Sequence, residues 1–158
     1  MIITGHLNIK AISANLKATT KQKVLEELTE LLIDANEIKE QDRDEIIKVL
    51  SARESIGSTG IGYGVAIPHG KSQAIETVML AIGYSKEGIN FDSIDGKPVN
   101  LFFLLLTSPE HGQLHLKLLA RLSRFLKDRF FRESLLKAKT EEDIYKAIED
   151  REKKDKSQ

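Results

Sequence analysis

Apolar residues along this chain fall into two rhythms. Val24, Leu25, Leu28, Leu31 and Leu32 recur at helical spacing behind Thr19 and Gln22, a pair with the spacing of a capping box. Ile46, Ile47 and Leu50 predict a second helix that starts near Gln41-Asp42 and runs towards Arg53. Leu114, Leu118, Leu119, Leu122, Phe125 and Leu126 form a longer stripe of the same period. Ser108-Pro109-Glu110 opens it, with proline in a first turn where its missing N–H costs nothing. Phe131, Leu135 and Leu136 predict a further short helix. Thr140 with Asp143 marks the start of a last one, which carries Ile144, Ala147 and Ile148.

The second rhythm is that of strands. Val78, Leu80 and Ile82 alternate within residues 77–85. Val65-Ala66-Ile67 reads as a brief buried strand that Pro68 stops. Residues 99–106 are apolar on both faces, the pattern of a central strand in a sheet covered on both sides. Gly88 and Asp95-Gly96 mark turns. Helices bracketing several short strands define an α/β domain. From Arg151 the chain is only charged and polar, which predicts a folded domain over residues 1–150 and a disordered tail over 151–158.

Composition narrows the classes of function. A chain of 158 residues buries a real core as one domain. Lysine plus arginine and aspartate plus glutamate stand at 24 each, so no net charge draws it to nucleic acid or to an anionic membrane. The absence of cysteine excludes disulfides and thiolate metal sites and fits the reducing cytoplasm. The apolar run 101–106 is far too short to span a bilayer, and the N-terminus lacks the basic and apolar regions of a secretory signal.

Candidate chemistry concentrates in Gly57-Ser58-Thr59-Gly60-Ile61-Gly62-Tyr63-Gly64-Val65-Ala66-Ile67-Pro68-His69-Gly70-Lys71. Two nucleotide-binding patterns fail here. Val65 stands where a P-loop needs its first glycine, and again where a dinucleotide fingerprint needs its last small residue. Zinc held by His69, His111 and His115 would use the four-residue spacing of the last two, but no carboxylate stands ready as a further ligand. The third reading is a nucleophilic histidine. Imidazole titrates near neutrality, and a phosphohistidine needs an open ring nitrogen, donors for the phosphoryl oxygens and positive charge nearby. His69 supplies the nitrogen, the glycine-rich amides with Ser58 and Thr59 the donors, and Arg53 and His115 the charge. The same residues also read as a histidine in a turn, a histidine on a helix surface and a cation at a helix end.

The run from Arg53-Glu54 through Gly57-Ser58-Thr59-Gly60-Ile61-Gly62 to Pro68-His69-Gly70-Lys71 resembles the signature of the EIIA domains of the bacterial phosphoenolpyruvate-dependent phosphotransferase system. The match is to the fructose/mannitol type, which includes the nitrogen-regulatory EIIA proteins. His115-Leu116-x-x-Leu119 resembles that family's second histidine motif, and the likeness extends from about Leu7 to Ile148. The resemblance implies an α/β sandwich, a central mixed β-sheet flanked by helices on both faces. It implies that His69 accepts a phosphoryl group, on Nε2, from HPr or a similar carrier. It also implies that His115 and Arg53 line the site, and that Ser58, Thr59 and Gly70 contribute to phosphoryl binding. The next acceptor is an EIIB domain of a sugar transporter or, for nitrogen-type members, the phosphorylation state controls partner proteins. No cofactor, metal, nucleic acid or membrane insertion enters that scheme.

Overall fold

The computed structural model describes residues 2–156. In chain order the elements are β1 (Leu7–Ser13), α1 (Lys21–Asp34), α2 (Arg43–Ile56), β2 (Gly60–Gly62), β3 (Val65–Ala66), β4 (His69–Lys71), β5 (Val78–Ile89), β6 (Val99–Thr107), α3 (Gly112–Lys127), α4 (Arg129–Lys137) and α5 (Glu141–Lys156). The strands form one mixed sheet in the order β1-β5-β6-β3-β2, with β4 also paired to β6. β5 and β6 are antiparallel and β1 is parallel to β5. β3 and β4 follow one another along the other side of β6, both parallel to it, with Val65 opposite Leu101 and His69 opposite Leu105.

The apolar run of β6 divides by parity between two cores, because successive side chains of a strand point to opposite faces. Phe102, Leu104 and Leu106 pack with Val24, Leu28 and Leu32 of α1 and with Ile46 and Leu50 of α2. Leu101, Phe103 and Leu105 pack with Leu118, Leu122 and Phe125 of α3, Phe131 of α4, and Ile144 and Ile148 of α5. The architecture is therefore the expected α/β sandwich.

Three departures from the sequence pattern have physical causes. β1 carries no clean alternation because it is an edge strand, with Ile9 and Lys10 exposed and its register with β5 shifted between Leu7 and Ile12. α1 is capped by Thr20, whose hydroxyl accepts from the Lys23 amide, one residue later than the Thr19–Gln22 spacing implies. The third departure corrects the disordered tail: α5 runs on to Lys156, and residues 157–158 lie outside the described residues. Glu152 explains the extension. It is 1% exposed and accepts the amides of Ile3 at 3.0 Å and Thr4 at 2.9 Å, with Arg121 Nη1 at 3.6 Å. A buried carboxylate with amide donors and a guanidinium is a satisfied group, so charge here ties the helix down instead of fraying it.

Candidate active site

The chain converges where β4 runs beside the C-terminal end of β6. β3 ends at Ala66, Ile67-Pro68 interrupts the pairing, and β4 begins on His69 itself, locked beside β6 by the Leu105 amide donating to Pro68 O at 2.9 Å. α2 crosses close to this strand. A Cβ on Gly70 would stand 2.7 Å from Val49 Cγ1, so glycine there lets the helix approach and brings the C-terminal turn of α2, with Arg53, to the site. After β6, a single 3-10 turn over Pro109–His111 feeds α3, which places His115 in its first turn. The rings of His69 and His115 lie 5.5 Å apart at an interplanar angle of 61°.

The tautomer of His69 follows from its partner. Nδ1 lies 2.8 Å from Ile67 O, and a carbonyl only accepts, so Nδ1 carries the proton and Nε2 keeps its lone pair. Burial pushes its pKa below the ordinary 6.5 and the Arg53 charge lowers it further, against the opposing pull of the Ile67 bond and the Glu54 charge. His69 is thus neutral at pH 7, a nucleophile with its lone pair free. Arg53 donates from Nη1 to Gly57 O at 2.8 Å.

His115 is only 4% exposed and bonds through Nδ1 to Thr107 Oγ1 at 2.7 Å. Its pKa is pushed down to about 4, chiefly by burial, then by the charges of His69 and Lys71. Because the unfolded chain binds a proton between pH 6.5 and about 4 that folded His115 refuses, stability falls as pH drops through that window. The urea midpoint is therefore expected to be lower at pH 5 than at pH 7, and the difference to shrink in His115→Gln. Equal differences in the two chains would contradict the assignment.

Not every residue expected at the site reaches it. Ser58 donates to Phe91 O at 2.6 Å and accepts from the Gly60 amide at 3.0 Å. The Thr59 hydroxyl and amide both turn to the Glu54 carboxylate. The two hydroxyls brace the loop and are not directed at His69. The glycines also serve another purpose than a phosphoryl cradle. Gly62, Tyr63 and Gly64 have φ of 90°, 60° and 74° and form the tight turn between β2 and β3. Gly64 O accepts from the Asn100 amide, whereas His69 lies opposite Leu105. Five residues of β6 separate the two levels, about 16 Å at the rise of a strand.

Three residues of the site carried no individual assignment in the sequence: Glu54, Lys71 and Thr107. Glu54, 7% exposed, holds Thr59 and pairs with Lys21 at 2.9 Å. Lys71 has no carboxylate partner among the described residues, and its Nζ lies 3.5 Å from where a Cβ on Gly112 would be, at the start of α3. His111 pairs with Ser108. Among the described residues no three His, Asp or Glu side chains are arranged to hold a metal ion, and no helix is long and apolar enough to cross a membrane.

Residues 6–151 match the family described as the phosphoenolpyruvate-dependent sugar phosphotransferase system, EIIA 2, and the chain belongs to that family. Among its relatives is the PTS system fructose-specific EIIA component of Haloferax volcanii, 37% identical over 136 residues, 86% of this chain and 87% of that protein. The nitrogen regulatory protein of Bradyrhizobium diazoefficiens is 38% identical over 148 residues, 94% of this chain and 95% of that one. The crystal structure of nitrogen regulatory protein IIA-Ntr from Neisseria meningitidis superposes with a TM-score of 0.85 at 31% identity, covering 94% of this chain and 99% of that chain.

Proposed function

We propose that this chain is a phosphocarrier that accepts a phosphoryl group on His69 Nε2 from HPr or an HPr-like carrier and passes it to an EIIB domain of a fructose/mannitol-type transporter. The observation that carries this reading is the bond from His69 Nδ1 to Ile67 O, which leaves Nε2 bare beside His115 in a site whose cations, Arg53 and Lys71, have no carboxylate partner among the described residues.

The step balances on these atoms. The Nε2 lone pair forms the N–P bond as the bond from phosphorus to the donor histidine breaks, and the donor imidazole leaves with that electron pair. His69 keeps its Nδ1 proton, so the phosphorylated ring is cationic and its bond to Ile67 O becomes charge-assisted. Transfer between two histidines asks chiefly for position and for positive groups facing the phosphoryl oxygens. Arg53 and Lys71 supply the charge, and the His115 ring, neutral at pH 7, stands beside them. Ser58 and Thr59 contribute by shaping the loop, and Gly70 by admitting α2.

A second reading has its own support. The near full-length nitrogen regulatory relative and the IIA-Ntr structure favour a regulatory protein whose phosphorylation on His69 controls partner proteins. Mixing the phosphorylated chain with a fructose-type EIIB domain separates the two. Loss of the phosphoryl group to EIIB is the expected result. Retention of it, with EIIB shown competent towards its own EIIA, would overturn the transport role and leave the regulatory one.

A further inference from the structure

Thr107 closes β6, is 0% exposed, and has one hydrogen-bond partner for its hydroxyl among the described residues, His115 Nδ1 at 2.7 Å. A buried hydroxyl with a single polar neighbour must give that neighbour its proton or leave it unpaired. Were His115 protonated on Nδ1, the ring would donate to Oγ1 and the threonine's own proton would face no acceptor. That arrangement is disfavoured by about ten-fold or more. His115 Nδ1 is therefore the acceptor and its proton resides on Nε2. This nitrogen has no hydrogen-bond partner, yet it is not among the described buried polar atoms that lack one, which are Ser93 Oγ and Arg151 Nε. It therefore reaches the surface of the site.

The two histidines then hold opposite tautomers. Ile67 O keeps the His69 proton on Nδ1 and frees a lone pair on Nε2, while Thr107 keeps the His115 proton on Nε2. We propose that Thr107 is a positioning residue that fixes His115 as the N–H donor to the phosphoryl group on His69. This rests on the phosphocarrier reading above. Threonine suits the task because its β-branched side chain has a restricted χ1, so the hydroxyl is aimed by packing. The last residue of the central strand thereby sets the proton of a ring one helical turn into α3.

Nitrogen-15 spectra of the histidine rings in the unphosphorylated protein test the inference, together with rates of phosphoryl uptake from phosphorylated HPr. Wild type and Thr107→Ser are expected to show His115 protonated on Nε2 with similar rates. The isosteric Thr107→Val is expected to show mixed tautomers and uptake slower in proportion to the Nε2–H population lost, about two-fold for an even mixture. A wild-type His115 protonated on Nδ1, or a Thr107→Val chain with unchanged tautomer and rate, would overturn the proposal. Wild type that takes up no phosphoryl group would overturn the phosphocarrier reading. The ring spectra of the same sample would still decide separately whether Thr107 sets the proton.

Discussion

His69→Ala is expected to fold and to accept no phosphoryl group, a complete loss of uptake. The substitution removes the one nitrogen in the site whose lone pair is free at neutral pH. His115 cannot replace it, because its Nδ1 is occupied by the Thr107 hydroxyl. The cost to stability is that of one bond to Ile67 O, about 1 kcal/mol. Urea unfolding should therefore show a small shift while phosphate uptake disappears. A chain that lost both together would point to a structural histidine. One that kept its uptake would place the acceptor elsewhere.

Glu54→Ala is expected to have the largest effect on stability, about 2–4 kcal/mol by urea unfolding, from leaving the buried Thr59 amide and hydroxyl without an acceptor and Lys21 with only Asp92, 3.7 Å away. The carboxylate is the hub between three segments: Lys21 at the start of α1, Thr59 in the loop, and its own helix α2. The Thr59 carbonyl in turn accepts the Ile67 amide at 3.0 Å, and Ile67 O accepts the His69 ring proton. Loosening Glu54 should therefore slow phosphoryl uptake as well, through a chain of bonds that ends on His69 Nδ1. Glu54→Gln, which retains an acceptor for Thr59 and loses the charge facing Lys21, should fall between wild type and alanine. If Glu54→Ala unfolds at the wild-type urea concentration, the carboxylate is not the hub described here.

Much of this was legible in the chain itself, and the exceptions share a cause. Periodicity located the helices and the central strand, because those elements bury long regular stripes. It missed β1, an edge strand whose exposed Ile9 and Lys10 break the alternation, and β2 and β4, whose three residues each are too few to have a period. The motif from Arg53 to Lys71 brought Arg53 and His69 to one place. Two of the glycines within it serve the fold: Gly62 and Gly64 are there because the turn needs positive φ, a strand's length away from His69. Ser58 and Thr59 looked like free donors because the carbonyl and carboxylate that occupy them, at Phe91 and Glu54, enter only through folding.

The residues without assignment tell the same story. Thr107 is a hydroxyl at the end of an otherwise apolar run, eight residues before His115. That placement is a weak signal on its own, and it acquires meaning only when the 3-10 turn and the start of α3 fold the ring back over the strand. Glu152 sits in a run of charged residues that reads as solvated until Ile3 and Thr4 are seen to present their amides to it. In each case the chemistry depends on a contact that only the folded chain makes, which local patterning does not record.

The most direct test of the central claim is the intact mass of the chain after incubation with phosphoenolpyruvate, enzyme I and HPr, measured beside His69→Ala. The account predicts that wild type gains a single phosphoryl group and His69→Ala gains none. Absence of any gain by wild type, with the same enzyme I and HPr phosphorylating another EIIA in parallel, would contradict it, as would equal gain by both chains.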